Sequence, residues 1–362
     1  MHRNRRYLMV ILVLASAAPA VAELPIPENP LWQPVVDEVY LQEIPTLLST
    51  DRPLTAVAVH DGRTYVGDAD GVTLLVGEAL KRQKGPNGPV SRLKSLGGAL
   101  YAAGPGGLWT LTGTGWSKLT DRPVADFCSF RGKIAFASGP RLFAVDGHEV
   151  SELTPDEDEE QRKKKDKEPP LLGVAAYSGT LYVHDGKRVG LLEGGQIQFD
   201  YIADWGRLEH GCTVRDLLAI GSRLYVATDE GLCVLRGMTW YHIDGDDGLC
   251  YEDTTALATG FDRDLWIGTA RGAIRRVGDE YQFFGCDRWI PHDRVNAVAA
   301  GDRMVCIATD GGLSVIRYEP YTLAKKAAYY ERWLEEWGMK RLGLVHILFW
   351  VGGQWVREVS DN

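Results

Sequence analysis

The 362-residue chain has no surplus of positive charge, with 40 Lys and Arg against 49 Asp and Glu. An acidic chain of this kind is not built for non-specific nucleic-acid binding. C-x-x-C pairs and the Cys/His spacings of a structural zinc site are also missing, so no metal and no cofactor are expected. The Gly-x-Ser-x-Gly, Walker and His-Glu-x-x-His patterns are absent, which removes the common signposts of hydrolases, nucleotide enzymes and zinc proteases. Beyond the N-terminus, no apolar run is long enough to cross a bilayer.

What is present begins with a basic tip (Arg3, Arg5, Arg6), an apolar run from Tyr7 to Ala18, and Ala20-Val-Ala22. The run is too short for a transmembrane helix, and small-x-small closes it. Residues 1–22 are therefore expected to be a secretory signal peptide cleaved after Ala22, making the protein periplasmic or secreted. Cleavage removes three Arg and no acid, moving the net charge from −9 to −12. Residues 23–34 are Pro-rich and read as an extended lead-in.

The body of the chain repeats one pattern. Leu224-Tyr-Val-Ala-Thr-Asp-Glu-Gly-Leu232, Leu265-Trp-Ile-Gly-Thr-Ala-Arg-Gly-Ala273 and Val305-Cys-Ile-Ala-Thr-Asp-Gly-Gly-Leu313 each give a short apolar strand, Thr-x-x-Gly, then a second strand. Gly suits a tight hairpin position with φ > 0, and the Thr hydroxyl can bond back into the turn. Fainter copies surround Tyr65, Tyr101, Ala135 and Tyr182. Anchored on these and on Tyr225, Trp266 and Cys306, the spacings are 36, 34, 47, 43, 41 and 40 residues. A period of roughly 40 residues with about four strands per unit marks a β-propeller. The expected fold is an all-β, seven-bladed propeller over residues 35–320. The last unit lacks an outer strand, and residues 36–44 alternate like one, so they are expected to close the ring.

Several details accompany the repeat. Asp156–Glu168 is a dense mixed-charge run that accounts for the spacing of 47 and reads as a solvated insertion. Cys128, Cys233 and Cys306 fall within strands and read as small buried hydrophobes. Cys212, Cys250 and Cys286 fall in loops, with a bridge between the last two left open. In residues 321–362 a helical stripe (Leu323, Ala327, Tyr330, Leu334, Trp337) with Thr322 as cap precedes a hairpin around Gly352-Gly353.

Units five to seven resemble the two-component-regulator propeller repeats, whose pattern runs Leu-Trp-(Ile/Val)-Gly-Thr-x-x-Gly-Leu, an outer strand, then an Asp-Gly-Leu-Pro-type loop. Asp247-Gly-Leu-Cys250 and Trp289-Ile-Pro291 match that loop. The resemblance implies a propeller with a sensory or binding role outside the cytoplasm. Its best-known members precede a membrane helix and a histidine kinase, neither of which follows here. The tail is similar to a rarer arrangement, in which Lys-Ala-Ala-Tyr-Tyr-Glu (Lys326–Glu331) and Ser-Asp-Asn (Ser360–Asn362) lead into a helical toroid. That implies a further domain beyond this chain.

In a four-stranded blade, the second-to-third turn and the loop to the next blade emerge on one face. The candidate mouth residues are His210, Tyr251, Glu252, Asp253, Arg271, Arg288, Trp289, His292, Arg294 and Asp310. Aromatic rings stack on sugars, and Arg and Asp forks read hydroxyls and carboxylates. The sequence thus points to a non-catalytic propeller that binds a carbohydrate-like ligand, a partner protein or a missing domain. The alternative is a polysaccharide lyase or glycosidase, with Tyr251, His292 and Arg271 as base, acid and charge neutraliser. Asp244-Gly-Asp-Asp-Gly248 is read as a turn, since Thr255 stands where a calcium loop needs its last Glu.

Overall fold

The computed structural model describes residues 40–113, 115–155, 159–160, 163, 167–199, 212–322, 325, 328, 332, 347–351 and 354–358. The expected signal peptide and lead-in, His210, most of the charged insertion, most of the C-terminal helix and Ser360–Asn362 lie outside them.

Residues 40–321 form a seven-bladed β-propeller of four-stranded antiparallel sheets. Blades 1 to 7 span residues 56–87, 92–120, 126–152, 173–198, 214–243, 254–284 and 295–321. In each of the first six, the strands follow one another outward in chain order. Blade 6 shows the pattern: Thr254–Thr259 innermost, then Leu265–Thr269, Gly272–Val277 and Glu280–Phe284.

Blade 7 has three strands from its own segment, and its fourth is Tyr40–Ser49, antiparallel to Gly312–Tyr321 with Leu47 opposite Ser314. This strand runs further than the sequence pattern indicates, because Pro45 lies inside it opposite Ile316. Proline ends most strand readings, yet in an outermost strand its missing N–H removes no ladder bond that a neighbour needs.

The core is divided among the blade boundaries. Seven apolar clusters each join two neighbouring blades. Between blades 6 and 7 the cluster centres on Trp266, with Phe284, Ile290, Val305 and Ile316 around it. Strands buried on both faces need apolar residues at successive positions, hence runs such as Leu265-Trp-Ile, in which all three side chains are buried. Leu48 of the closing strand joins the cluster between blades 7 and 1.

Polar tethers cross every blade boundary. Thr55 Oγ1 donates to the Val90 carbonyl (2.6 Å), Lys94 Nζ to that of Phe127 (2.9 Å), and the Val174 N–H to Asp126 Oδ2 (3.0 Å). Tyr177 donates to Ser222 (3.0 Å), Arg215 to Thr254 (3.2 Å), Thr255 to Val295 (2.7 Å) and Asn296 to Leu54 (3.0 Å), in each case at a backbone carbonyl. Arg215, Thr255 and Asn296 are the extra residues where the register of the inner strands of blades 5, 6 and 7 shifts. A bulge re-aims its side chain, and here it aims each one across the boundary.

The C-terminal segment forms a separate unit. Its described parts are a hairpin of Ile347–Val351 with Gln354–Glu358, Trp350 opposite Trp355, and the helical residues Lys325, Ala328 and Arg332. Thr322 Oγ1 accepts the Lys325 N–H at 3.2 Å, a helix cap.

Candidate functional site: the propeller mouth and central channel

The mouth is framed by the repeated turns. The hydroxyls of Thr228, Thr269 and Thr309 donate to the carbonyls of Gly231, Gly272 and Gly312 at 2.9, 2.8 and 2.9 Å. These glycines have φ of 104°, 128° and 141°, a region L side chains avoid. In blades 1 and 4 an Asp replaces the Thr. Asp68 Oδ1 accepts the N–H groups of Asp70 and Gly71, and Asp185 Oδ1 those of Lys187 and Arg188. The loops entering the next blade bond back onto these turns: Gly231 N–H to Glu252 O (2.8 Å), Ala270 to Asp253 (3.0 Å) and Asp310 to Arg294 (3.3 Å). Turns and inter-blade loops therefore share one face.

On that face the predicted residues fall into small groups. Tyr251 packs against Phe283, ring centroids 5.2 Å apart, and the Arg271 guanidinium lies 5.8 Å from the Tyr251 ring. Phe283 is exposed and rests over the turn at Gly272, where an added Cβ would come within 2.7 Å of its ring. Arg288 lies 5.0 Å from the Trp289 ring, whose other contact is Phe284 at 5.1 Å, edge to face. The remaining predicted residues hold loops. Glu252 Oε1 accepts the Gly245 N–H (2.8 Å), Asp253 pairs with Arg215, His292 Nδ1 accepts the Arg294 N–H (3.1 Å), and Asp310 accepts from Asn296 (2.7 Å). No hydrogen bond or ring contact joins Tyr251 to His292 among the described residues. Residues 245–247 form a 3-10 turn capped by Asp244, with Gly248 at φ 92°. Cys250 and Cys286 are both exposed free thiols.

The second feature, missed from sequence, is charge inside the ring. A central cavity of about 270 Å³ is lined by the inner strands of blades 1, 2, 5, 6 and 7. Arg92 and Lys94 line its blade 2 wall and Asp216 its blade 5 wall. Behind blade 2, the Asp126 carboxylate is fully enclosed. Lys94 Nζ reaches it at 2.6 Å and Arg92 Nε at 3.5 Å. Burial alone would raise its pKa, but the two cations hold it below the ordinary carboxylate value. Burial pushes Asp216 the other way, above that value. Among the described residues its oxygens accept only the Leu217 N–H (3.0 Å) and the Leu257 N–H (2.8 Å), and the fields of Arg92 and Lys94 do not overcome the burial. His184, next to Asp126 in the field of these charges, is driven by burial down to about 4, and its Nε2 has no partner among the described residues.

The signal for this cluster was available in the aligned repeats. Inner strands that open Thr-Ala-Leu-Ala in blade 6 open Arg92-Leu-Lys-Ser in blade 2, Asp126-Phe-Cys-Ser in blade 3 and Arg215-Asp-Leu-Leu in blade 5. Of these, Arg92, Lys94 and Asp216 line the cavity.

No known family profile matches the chain, and no curated protein matches it. Solved structures do resemble it. The extracellular domain of a putative one-component system from B. thetaiotaomicron aligns with TM-score 0.60 at 13% identity, over 77% of this chain and 40% of its own. Virginiamycin B lyase from Staphylococcus aureus aligns with TM-score 0.57 at 14% identity, over 77% of this chain and 99% of its own. PorZ, a surface component of the type-IX secretion system of Porphyromonas gingivalis, aligns with TM-score 0.51 at 13% identity, over 78% and 40%. The chain thus spans about 40% of the length of the sensor-type structures it resembles. At these identities the likeness is one of fold: this chain shares the β-propeller architecture of extracellular domains of bacterial regulatory systems.

Proposed function

We propose that this protein is an exported, non-catalytic propeller that binds a carbohydrate-like ligand at its mouth. The observation that carries the reading is the step formed by exposed Phe283 and Arg271 on half-buried Tyr251, with Arg288 and Trp289 in the next inter-blade loop. An exposed ring offers a sugar face a stacking surface, and a neighbouring guanidinium donates to hydroxyls or carboxylates. The fold likeness to extracellular domains of regulatory systems supports a place outside the cytoplasm and a binding role. No described helix is long and apolar enough to cross a membrane. The same step could seat a partner protein or an adjoining domain, and the test separates these.

A glycan-array measurement on the purified protein is expected to find a binding class. Tyr251→Ala and Phe283→Ala should each weaken it at least tenfold. An empty array across neutral and uronate-bearing glycans would overturn the sugar reading and leave the protein-partner one.

A lyase is the second reading, favoured by the fold likeness to virginiamycin B lyase. It stands second because His292 is engaged with the Arg294 backbone and Tyr251 with Phe283. An unsaturated product from uronate polysaccharides, absorbing in the ultraviolet and lost in His292→Ala, would put the enzyme first.

A further inference from the structure

The cavity inside the ring has a different character from the mouth. Its volume of about 270 Å³ is room for about nine waters, at a liquid share of about 30 Å³ each. That is below the usual range for drug-sized ligands. Its charges are divided by wall. Blade 2 contributes Arg92 and Lys94, and blade 5, one of the two blades facing it across the ring, contributes Asp216.

The two walls feel each other through space, but no direct ion pair joins them among the described residues. Lys94 is committed to Asp126 and to the Phe127 carbonyl. Arg92 gives one N–H to the Ser91 carbonyl (3.1 Å) and lies 3.5 Å from Asp126, leaving further guanidinium donors. Asp216 has two backbone N–H donors and no ion-pair partner among the described residues, although a carboxylate has room for about four donors. Two cations and two carboxylates make the cluster neutral in sum. With Asp216 ionised, opposite charges on facing walls complement a dipolar solute, not a net ion, and a bound ammonium would offset the burial penalty on that carboxylate.

From this division of charge we propose that the central channel is a binding site for a small zwitterion of amino-acid size, with its carboxylate on Arg92 and its ammonium on Asp216. Guanidinium and carboxylate meet in a two-pronged geometry, and an ammonium supplies the donors that Asp216 lacks. The site is independent of what the mouth binds.

The test is calorimetric titration of the intact protein with the twenty α-amino acids, acetate, methylammonium, and the N-acetyl and methyl-ester forms of any amino acid that binds. The expected result is at least one amino acid binding at micromolar to low-millimolar concentration, weakened at least tenfold when either charge is masked. Asp216→Asn, which keeps an acceptor for the Leu257 N–H, and Arg92→Gln should each weaken it at least tenfold. Binding of no amino acid, equal binding of masked forms, or equal binding of acetate alone would overturn the proposal. So would full affinity in a folded Asp216→Asn protein. The masked-ligand comparison uses wild-type protein, so the proposal is testable even if a variant fails to fold.

Discussion

Asp126 and Asp216 occupy equivalent corners of the ring, and their surroundings differ. Each lies at the start of an inner strand, and each accepts an N–H from the inner strand of the next blade, Val174 or Leu257. Asp126 has Lys94 and Arg92 directly against it, whereas Asp216 forms no direct ion pair among the described residues and feels the same two cations only through space. Burial acts on both, yet the first is held ionised and the second is pushed towards its neutral form. The difference shows how a repeat architecture separates two roles. The inter-blade bond needs only an acceptor at this position. Whether that acceptor also carries a settled charge depends on the blade next door. The Asp126 corner is closed on itself, and the Asp216 corner is left with capacity for something else.

Four measurements would break or sharpen that contrast. The largest effect is expected for Asp126→Asn, which keeps the acceptor for Val174 but leaves Lys94 without its carboxylate. The loss should be about 3 kcal/mol in urea unfolding at neutral pH, as for other broken buried pairs. A value below about 1 kcal/mol would mean the pair adds little.

Nearly as large is the effect of acid on the same corner. His184 has its pKa lowered to about 4 against an unfolded value of 6.5. Its contribution is complete above pH 6.5 and is lost as pH falls towards 4, because only the unfolded chain takes up the proton there. The loss amounts to about 3 kcal/mol. Asp126, also lowered, adds a further loss as pH falls through the carboxylate range. In His184→Gln the slope between pH 6.5 and 4 should largely vanish. An unchanged slope would assign the acid sensitivity elsewhere.

A neutral tether provides the scale. Thr255→Val removes the donor to the Val295 carbonyl and should cost about 1 kcal/mol. Asp216→Asn should change stability least, within about 1 kcal/mol at neutral pH and in the stabilising direction if anything. A raised carboxyl contributes stability that is present below the ordinary carboxylate pKa and lost as pH rises through its folded value, and Asn abolishes that loss. A loss comparable to that of Asp126→Asn would erase the distinction between the corners.

The fold was legible because its signal is repetition. The Thr-x-x-Gly turns recur in blades 5, 6 and 7, and the Thr-to-Gly bonds form there. Blade 4 was faint for a physical reason: Asp185 supplies the turn-closing acceptor, and Arg188 stands where blades 1, 2, 5, 6 and 7 have Gly. Nine of the ten mouth residues, Tyr251, Glu252, Asp253, Arg271, Arg288, Trp289, His292, Arg294 and Asp310, could be placed in the turns and inter-blade loops of one face from connectivity alone, the tenth, His210, lying outside the described residues. Their division into stacked rings and loop braces could not, since it turns on which side chain a bulge or a Gly lets approach. Arg215 illustrates this. Its bulge carries it across the boundary to Thr254 and Asp253, a direction no period-2 count reveals. The axial charges escaped notice because each sits in a different repeat. Lys94 and Asp126 are 32 positions apart, yet they meet.

The pairing of Tyr40 with Tyr321 brings the first and last strands of the ring side by side. Six blades are continuous segments that can form as soon as they are delivered, but the seventh must wait for both extremes of the chain. Assembly therefore ends with its most distant contact, and the seal is expected to be the slow step. Until then the ring has a gap between blades 7 and 1, with the outer strand of blade 7 missing. Wherever the protein folds, Tyr40–Ser49 and Gly312–Tyr321 must both be present before the last blade can close.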